Sequence, residues 1–318
     1  MSEPRGRLGR HDLAEVARAA FGARELVSAE RLRGGSKKGV YRLTLDDRTS
    51  SVAYVWNADE DYWPDAASPD HSDPFGHSTG IGLFEAAHAA LSGAGVRVPR
   101  ILLLDRSKTL LAGDVAVVED VRGGTLETLG DRPRVLARLG DAVRSLHRTR
   151  RAHYGRPGAD KPGLPVQDVV LRRALDHLAQ AAARVPEIAA VEHLLASLLG
   201  ERHAAVEPRT EYGLIHGELG PDHVLVDEHD QPVLIDIEGA MFFDVEWEHV
   251  FLELRFGENY RYFHVASLDD RRMRFYRLAM YLSLVAGPLQ LLDGDFPHRE
   301  AMLDIVDQNV VRTLGQLG

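Results

Sequence analysis

There is no cysteine anywhere in the 318 residues. That removes disulfides and thiolate metal sites from consideration and makes a reducing cytoplasm the expected setting. The opening residues, MSEPRGRLGRHD, lack the apolar core of a secretory signal. No apolar run is expected to reach the length of a membrane span. Positive charge is in short supply, with 38 Lys and Arg against 48 Asp and Glu for a net charge of −10. This balance argues against nucleic acid or an anionic membrane as partner. It suits a cationic small substrate, and solubility alone explains it equally well. A composition 44% hydrophobic and 27% charged is ordinary for a globular protein able to bury a core. The length fits one large domain or two moderate ones sharing a cleft.

Strand signals are concentrated in the first third of the chain. Residues 11–27 read as a helix with Asp12 as N-cap. A strand, a glycine turn (Gly34-Gly35-Ser36-Lys37-Lys38-Gly39), a strand over Val40–Leu45, an Asp46-Asp47 turn and a strand over Ser51–Trp56 follow. Residues 57–80, with Pro64, Pro69 and Pro74, read as an irregular insertion. Ile81–Ser92 is a predicted helix stopped by Gly93 and Gly95. Val98–Leu104 and Val115–Glu119 are predicted strands, and Val121–Thr125 a glycine linker. Beyond it the predicted elements are almost all helices: Arg134–Thr149, Val166–Ala183, Ile188–Arg202, Val245–Leu254, Asp270–Leu292 and Pro297–Leu317. The expectation is an α+β protein of two lobes, residues 1–120 and 121–318, with its site in a cleft.

One stretch of the helical half breaks the pattern. In Leu214–Glu238 the apolar runs Val224–Val226 and Val233–Ile235 flank a polar turn, which reads as a β-hairpin. His216, Glu218, Asp222 and His223 precede the first run, and Asp236 and Glu238 follow the second. Acids and histidines at the mouth of a strand pair make a candidate catalytic or metal-holding loop.

The order His216-Gly217-Glu218, then His223, then Asp236 resembles the catalytic hairpin of the aminoglycoside phosphotransferase and choline kinase-like family, a branch of the protein-kinase-like fold. That family carries H-G-D-x-x-x-x-N and an Asp-led segment after the next strand. Glu85 in FEAAHAAL, Val117-Val118-Glu119 at the hinge, Leu146-His147, and FFDVEWEHV against the family's D-P-x-x-D-L extend the likeness over residues 25–255. It implies a small antiparallel N-lobe, a larger helical C-lobe, and transfer of a γ-phosphate from ATP or GTP, with Mg or Mn, to a hydroxyl group. An antibiotic, an amino sugar or a nucleoside-type natural product is the implied acceptor. In this reading Glu218 is the base, His216 a structural brace and Asp236 the metal ligand. Gly35, Ser36, Lys37, Lys38, Gly39, Glu85, Glu119 and Val121 would serve the nucleotide.

Three positions depart from the family pattern. Glu218 stands where Asp is usual, and its extra methylene shifts the carboxylate by about 1 Å. His223 stands where the amide is usual. It is read as ligand to a softer ion, as a phosphate contact or as a loop brace. The third-strand lysine is missing, with Tyr54 or Trp56 in its place. Lys37, Lys38 and Arg42 are candidate substitutes, and Trp56 reads as a core or adenine-wall residue. Asp222 and Asp227 read as turn residues. Asp244, Glu246 and Glu248 are assigned either to a substrate pocket or to a helix-starting face. Tyr260–Leu292 is the expected specificity region, where Tyr260, Arg261 and Tyr262 form a pocket wall or pack between helices. The alternative function is a pseudokinase that binds nucleotide without turnover.

Overall fold

A computed structural model describes residues 7–32, 34–63, 74–76, 79–158 and 164–318. Its elements in chain order are α1 (Ala14–Phe21), β1 (Leu26–Arg31), β2 (Gly39–Leu45), β3 (Ser50–Trp56), α2 (Ile81–Gly93), β4 (Ile101–Asp105), β5 (Asp114–Glu119) and α3 (Leu126–Leu129). There follow α4 (Pro133–Arg148), β6 (Arg150–Arg151), α5 (Val166–Ala182), α6 (Pro186–Ala189), α7 (Glu192–Ala204), β7 (Tyr212–Ile215), β8 (Val224–Val226) and β9 (Pro232–Leu234). The chain closes with β10 (Met241–Phe243), α8 (Val245–Phe256), α9 (Asp270–Asp293) and α10 (Arg299–Leu314). The expected α+β class holds. Pro64 and Pro69 of the expected insertion lie outside the described residues.

Contacts group the chain into two units. The first comprises the described parts of Met1–Trp63, His77–Arg138 and Asp222–Glu238; the second those of Pro64–Gly76, Leu139–Pro221 and Gly239–Gly318. A cut near residue 120 does not contain this exchange: the β8–β9 hairpin packs with the sheet-bearing unit.

In the first unit five antiparallel strands lie in the order β1-β2-β3-β5-β4. Along β2 the buried positions alternate, Gly39, Tyr41, Leu43 and Leu45, as a two-residue period dictates. Central β3 is buried at every residue after Ser50, where β-branched Val52 and Val55 and aromatic Tyr54 and Trp56 stand with the small Ser51 and Ala53. Helix α1 is shorter than expected. Gly22, at φ 67°, ends it, Leu26 and Val27 join β1, and the Asp12 carboxylate accepts the Gly9 N–H (2.8 Å) instead of capping. The expected Val98–Leu104 strand begins only at Ile101. The 121–125 linker is a packed joint. Thr125 caps α3 and bridges to Leu225, Gly124 O accepts the Val226 N–H, and a Cβ on Gly123 would overlap Val226 O at 1.5 Å.

The second unit is helical apart from β10-β7-β6. Its core includes Val170, Leu178, Leu195, Phe243, Trp247, Phe275, Tyr276 and Leu282. Each large apolar side chain fully buried here contributes about 1.5–3 kcal/mol. Phe75, from the expected insertion, packs its ring 4.7 Å from that of Trp247. The expected helix Ile188–Arg202 is two helices, α6 and α7. The expected Pro297–Leu317 helix shortens to α10. Helix α9, 24 residues, is by length and composition apolar enough to cross a membrane, contrary to expectation. Its buried Phe275, Tyr276, Leu278 and Leu282 belong to the core, where α9 packs against α5, α8 and α10.

Candidate nucleotide and metal site

The glycine turn is tight because its backbone folds onto itself. Gly34 and Gly35 have φ of 92° and 78°, values that glycine adopts without steric cost. A Cβ on Gly35 would lie 2.5 Å from Lys38 O, so a side chain there would force the turn open. The Leu32 N–H closes the base of the turn on Val40 O (2.8 Å). Three further bonds anchor the loop: Tyr62 N–H to Ser36 O (2.8 Å), Trp63 Nε1–H to Ser36 Oγ (2.9 Å) and Thr79 Oγ1–H to Lys37 O (3.0 Å). Lys37 Nζ lies 5.4 Å over the Trp63 ring. Gly39 has its own packing reason, since a Cβ there would come within 2.6 Å of the buried Glu60 carboxylate. Arg31 and the Tyr41 hydroxyl hold that carboxylate.

This anchored turn delivers Lys38 to the hairpin. Lys38 is 6% exposed. Its ammonium donates to Asp236 Oδ1 at 2.7 Å and Glu238 Oε1 at 2.5 Å and lies 5.2 Å over the Tyr54 ring. Strand pairing explains the placement. Gly39 faces Val55 and Val40 faces Tyr54, so a residue entering β2 lies beside the stretch of β3 where the expected lysine is absent. Burial alone would lower the Lys38 ammonium, but Asp236 and Glu238 outweigh it and hold it above its ordinary range. In turn Lys38, against opposing desolvation and with help from His223, holds Asp236 well below the usual carboxylate range.

Asp236 follows β9 with φ 58°, a left-handed conformation that Asp tolerates better than most residues. Ile235 N–H donates to His223 O (3.0 Å), so the two ends of the hairpin stay together. His223 Nε2 is then 3.5 Å from Asp236 Oδ2 and 3.6 Å from Asp222 Oδ2. Among the described residues no group of three or more His, Asp or Glu is placed to hold a metal ion. A lone carboxylate oxygen suits an ion that brings most of its ligands as water and phosphate oxygens, as magnesium does, whereas the imidazole beside it suits a softer ion.

The remaining expected residues separate. Glu119 accepts Arg97 through both oxygens, at 3.1 and 2.7 Å, and Arg100 at 3.3 Å. The Arg97 bonds, opposed by partial desolvation, bring its pKa down to about 2. Arg97 O also accepts the Leu234 N–H (2.9 Å), so the pair joins β5 to the hairpin. Val121 is buried. Glu85 is not brought to Lys38; it pairs with Arg106, both about half exposed. Arg42 is no substitute lysine, because its guanidinium forks onto Asp120 at 2.9 and 3.1 Å. Trp56 is a core residue, edge-on to Tyr54 and tilted against Phe84.

In the second unit the loop Ile215–Leu219 is shaped by an acid on another element. His216 is fully buried, as a brace would be. Its N–H and that of Gly217 donate to Glu248 of α8 at 2.6 and 3.2 Å. Burial pushes the Glu248 carboxyl up, yet His147, His216 and the loop amide leave it lowered. Gly217 turns at φ 92°, with Gly239 O where a Cβ would point. Glu218, next in the chain, is exposed. Asp244, Glu246 and Glu248 therefore line no substrate pocket; all three are buried and paired. Arg272 and the Tyr276 hydroxyl both donate to Asp244, and Arg209 forks onto Glu246, both bonds at 2.6 Å. The connection between α8 and α9 borders an open pocket of about 420 Å³, lined by Tyr260, His264, Met273, Arg274 and Arg277 among others. Tyr260 is both wall and packing, for its hydroxyl also meets His249 Nδ1 (2.9 Å). Arg261 stacks on Tyr262 instead.

Two residues carry more than their sequence context suggested. Glu238 is the second acid on Lys38, and its only signal is its place two residues after Asp236. Glu248 sits in the continuous buried run Glu246–Leu252, where no exposed face sets an acid apart.

Comparison with known proteins bears on the family and the fold. The model of the phosphotransferase enzyme family (APH) matches residues 28–277. Among curated proteins, none matches the sequence. The fold is similar to a thermostable mutant of aminoglycoside phosphotransferase APH(4)-Ia, at TM-score 0.66 and 17% identity over 95% of this chain and 99% of that one. Spectinomycin phosphotransferase APH(9)-Ia in its AMP-bound complex gives 0.64 and 13% over 97% and 98%. A putative fructosamine-3-kinase from Thermobifida fusca YX-ER1 gives 0.56 and 19% over 95% and 98%.

Proposed function

Because the chain belongs to the phosphotransferase enzyme family, we propose that it is an ATP- or GTP-dependent O-phosphotransferase acting on a small hydroxylated molecule. One observation carries the reading. Lys38, buried against Asp236 and Glu238, restores from the glycine turn the cation whose usual strand position is empty. Phosphoryl transfer depends mainly on positioning and charge neutralisation, and those residues supply both signs of charge. Asp236, with His223 beside it, would hold a divalent ion, which neutralises phosphate charge when bound. Lys38 would grip phosphate oxygens, and the glycine turn would cover them. Glu218 accepts the proton of the acceptor hydroxyl. The acceptor oxygen bonds to the γ-phosphorus as the bond from that phosphorus to the bridging oxygen breaks, and a nucleoside diphosphate leaves. Structures of relatives with ADP or AMP-PNP and hygromycin B, or with ADP and spectinomycin, favour an antibiotic, amino sugar or nucleoside-type acceptor.

Thermal melting with ATP or GTP and Mg²⁺ or Mn²⁺ tests the nucleotide half, since a ligand of the folded state raises the midpoint. Raised melting and release of diphosphate with some member of a hydroxylated panel are expected. No shift with any pair sinks the proposal, and a shift without transfer to any compound selects the pseudokinase.

A further inference from the structure

Lys38 is bonded to the same carboxylate that the proposed metal site needs. Its ammonium takes Asp236 Oδ1 at 2.7 Å, while His223 stands 3.5 Å from the other oxygen, Oδ2. Glu238, two residues on, is also on the ammonium, at 2.5 Å, while Asp222 stands on the far side, 3.6 Å from the same His223 nitrogen. A divalent ion placed on Asp236 would bring two positive charges within a few ångströms of a third, in a region that buries Lys38 almost completely. At such separations like charges repel strongly in the partly shielded interior. The backbone of Lys38 has no slack to relieve this. Gly35 packs on its carbonyl, and Tyr62, Trp63 and Thr79 fasten Ser36 and Lys37. Only the side chain is able to move, and it leaves two acids only for another anion. A nucleotide phosphate is such an anion.

We infer that Lys38 and the divalent ion compete for Asp236 and Glu238, so that the free protein excludes the metal and accepts it together with nucleotide. The inference builds on Asp236 as the metal-holding acid. Its consequence is positive coupling: nucleotide draws Lys38 away and tightens the metal, and by linkage the metal tightens the nucleotide equally.

The test is Mn²⁺ alone, titrated into the full chain without nucleotide and followed by the paramagnetic resonance signal of the free ion. Lys38→Met should bind Mn²⁺ about tenfold or more tightly than the unaltered protein, given the charge removed. Adding Asp236→Asn should abolish the gain, and Lys38→Arg should keep the exclusion. Equal Mn²⁺ affinity with and without the Lys38 charge overturns the inference. Should Lys38→Met fail to fold, the unaltered protein decides by reductive methylation of Lys38 read by mass spectrometry. Saturating Mn²⁺ should speed labelling of Lys38 relative to the other lysines, and an unchanged rate overturns the inference. Nucleotide affinity of the unaltered protein is measured apart: its absence sinks the kinase reading and leaves the Mn²⁺ comparison to its own result.

Discussion

Asp244 in the helical unit and Asp236 in the sheet-bearing unit each hold a cation, and they differ in what surrounds the pair. Asp244, Arg272 and Tyr276 are sealed from water, and they pair with one another and, through Arg272, with the Glu207 carbonyl. Asp236 keeps 42% of its side chain exposed, although Lys38 beside it is buried. A sealed pair has nowhere to exchange its partner, so it serves the fold, and removing one member strands the other. An open acid with a buried cation keeps one side for a partner from solution. Burial of the pair, more than its chemistry, separates the charge that serves the fold from the charge proposed to serve the site.

The sealed side of this contrast breaks hardest. Arg272→Met leaves the buried Asp244 with only the more distant Arg209, at 3.5 Å, and should cost about 3 kcal/mol of stability, read as a lower urea midpoint. If the variant unfolds like the unaltered protein, the two clusters do not differ as described. On the open side, Glu218→Gln should lower kcat by about a hundredfold or more while nucleotide affinity holds. Unchanged turnover would remove Glu218 from the chemistry.

Glu248→Gln joins the two behaviours, because a buried acid shapes an exposed loop. Its weaker bonds to the His216 and Gly217 amides should cost about 1–3 kcal/mol in stability and slow kcat more than it raises the nucleotide KM. Loss of stability with kcat untouched would make it purely structural.

The smallest effect is in pH. Burial, with His147 adding to it, lowers the His249 pKa from 6.5 to about 4. Between these values the unfolded chain binds a proton that the folded chain refuses, so stability falls as pH drops from about 6.5 to 4. His249→Gln should flatten that limb in denaturant titrations at a series of pH values. An equally steep limb would assign it to other groups. Glu119, lowered to about 2, adds stability above its ordinary pKa of 4.5 that is lost only as pH falls toward 2.

Much of this was legible from residue pattern. The two-residue period of β2, the apolar runs of β8 and β9 and the helical spacing of α4, α5, α8 and α9 are local signals, and the elements formed near their expected places. So was the order of His216, Glu218, His223 and Asp236. Boundaries set by single glycines were less legible: Gly22 cut α1 short, and Gly123 turned an apparent linker into a joint. The acids at the start of α8 stayed open between a pocket and a helix-starting face, because a run buried on all sides has no amphipathic face to mark which carboxylates meet cations. Glu85 and Arg42, both reasonable partners by position, found Arg106 and Asp120 instead.

By itself the sequence determined the α+β class, the hairpin and the chemical types gathered at its mouth, because period, turn residues and spacing act over a few residues. Which of three cations, Lys37, Lys38 or Arg42, meets Asp236 was decided only in the tertiary structure. Lys38 and Asp236 stand 198 residues apart, and no local rule reaches that far. The choice was made by the strand register of β2 on β3, a turn that glycine alone permits, and the packing of the hairpin against Gly123. Two acids in a buried setting then hold the one ammonium that geometry brings to them.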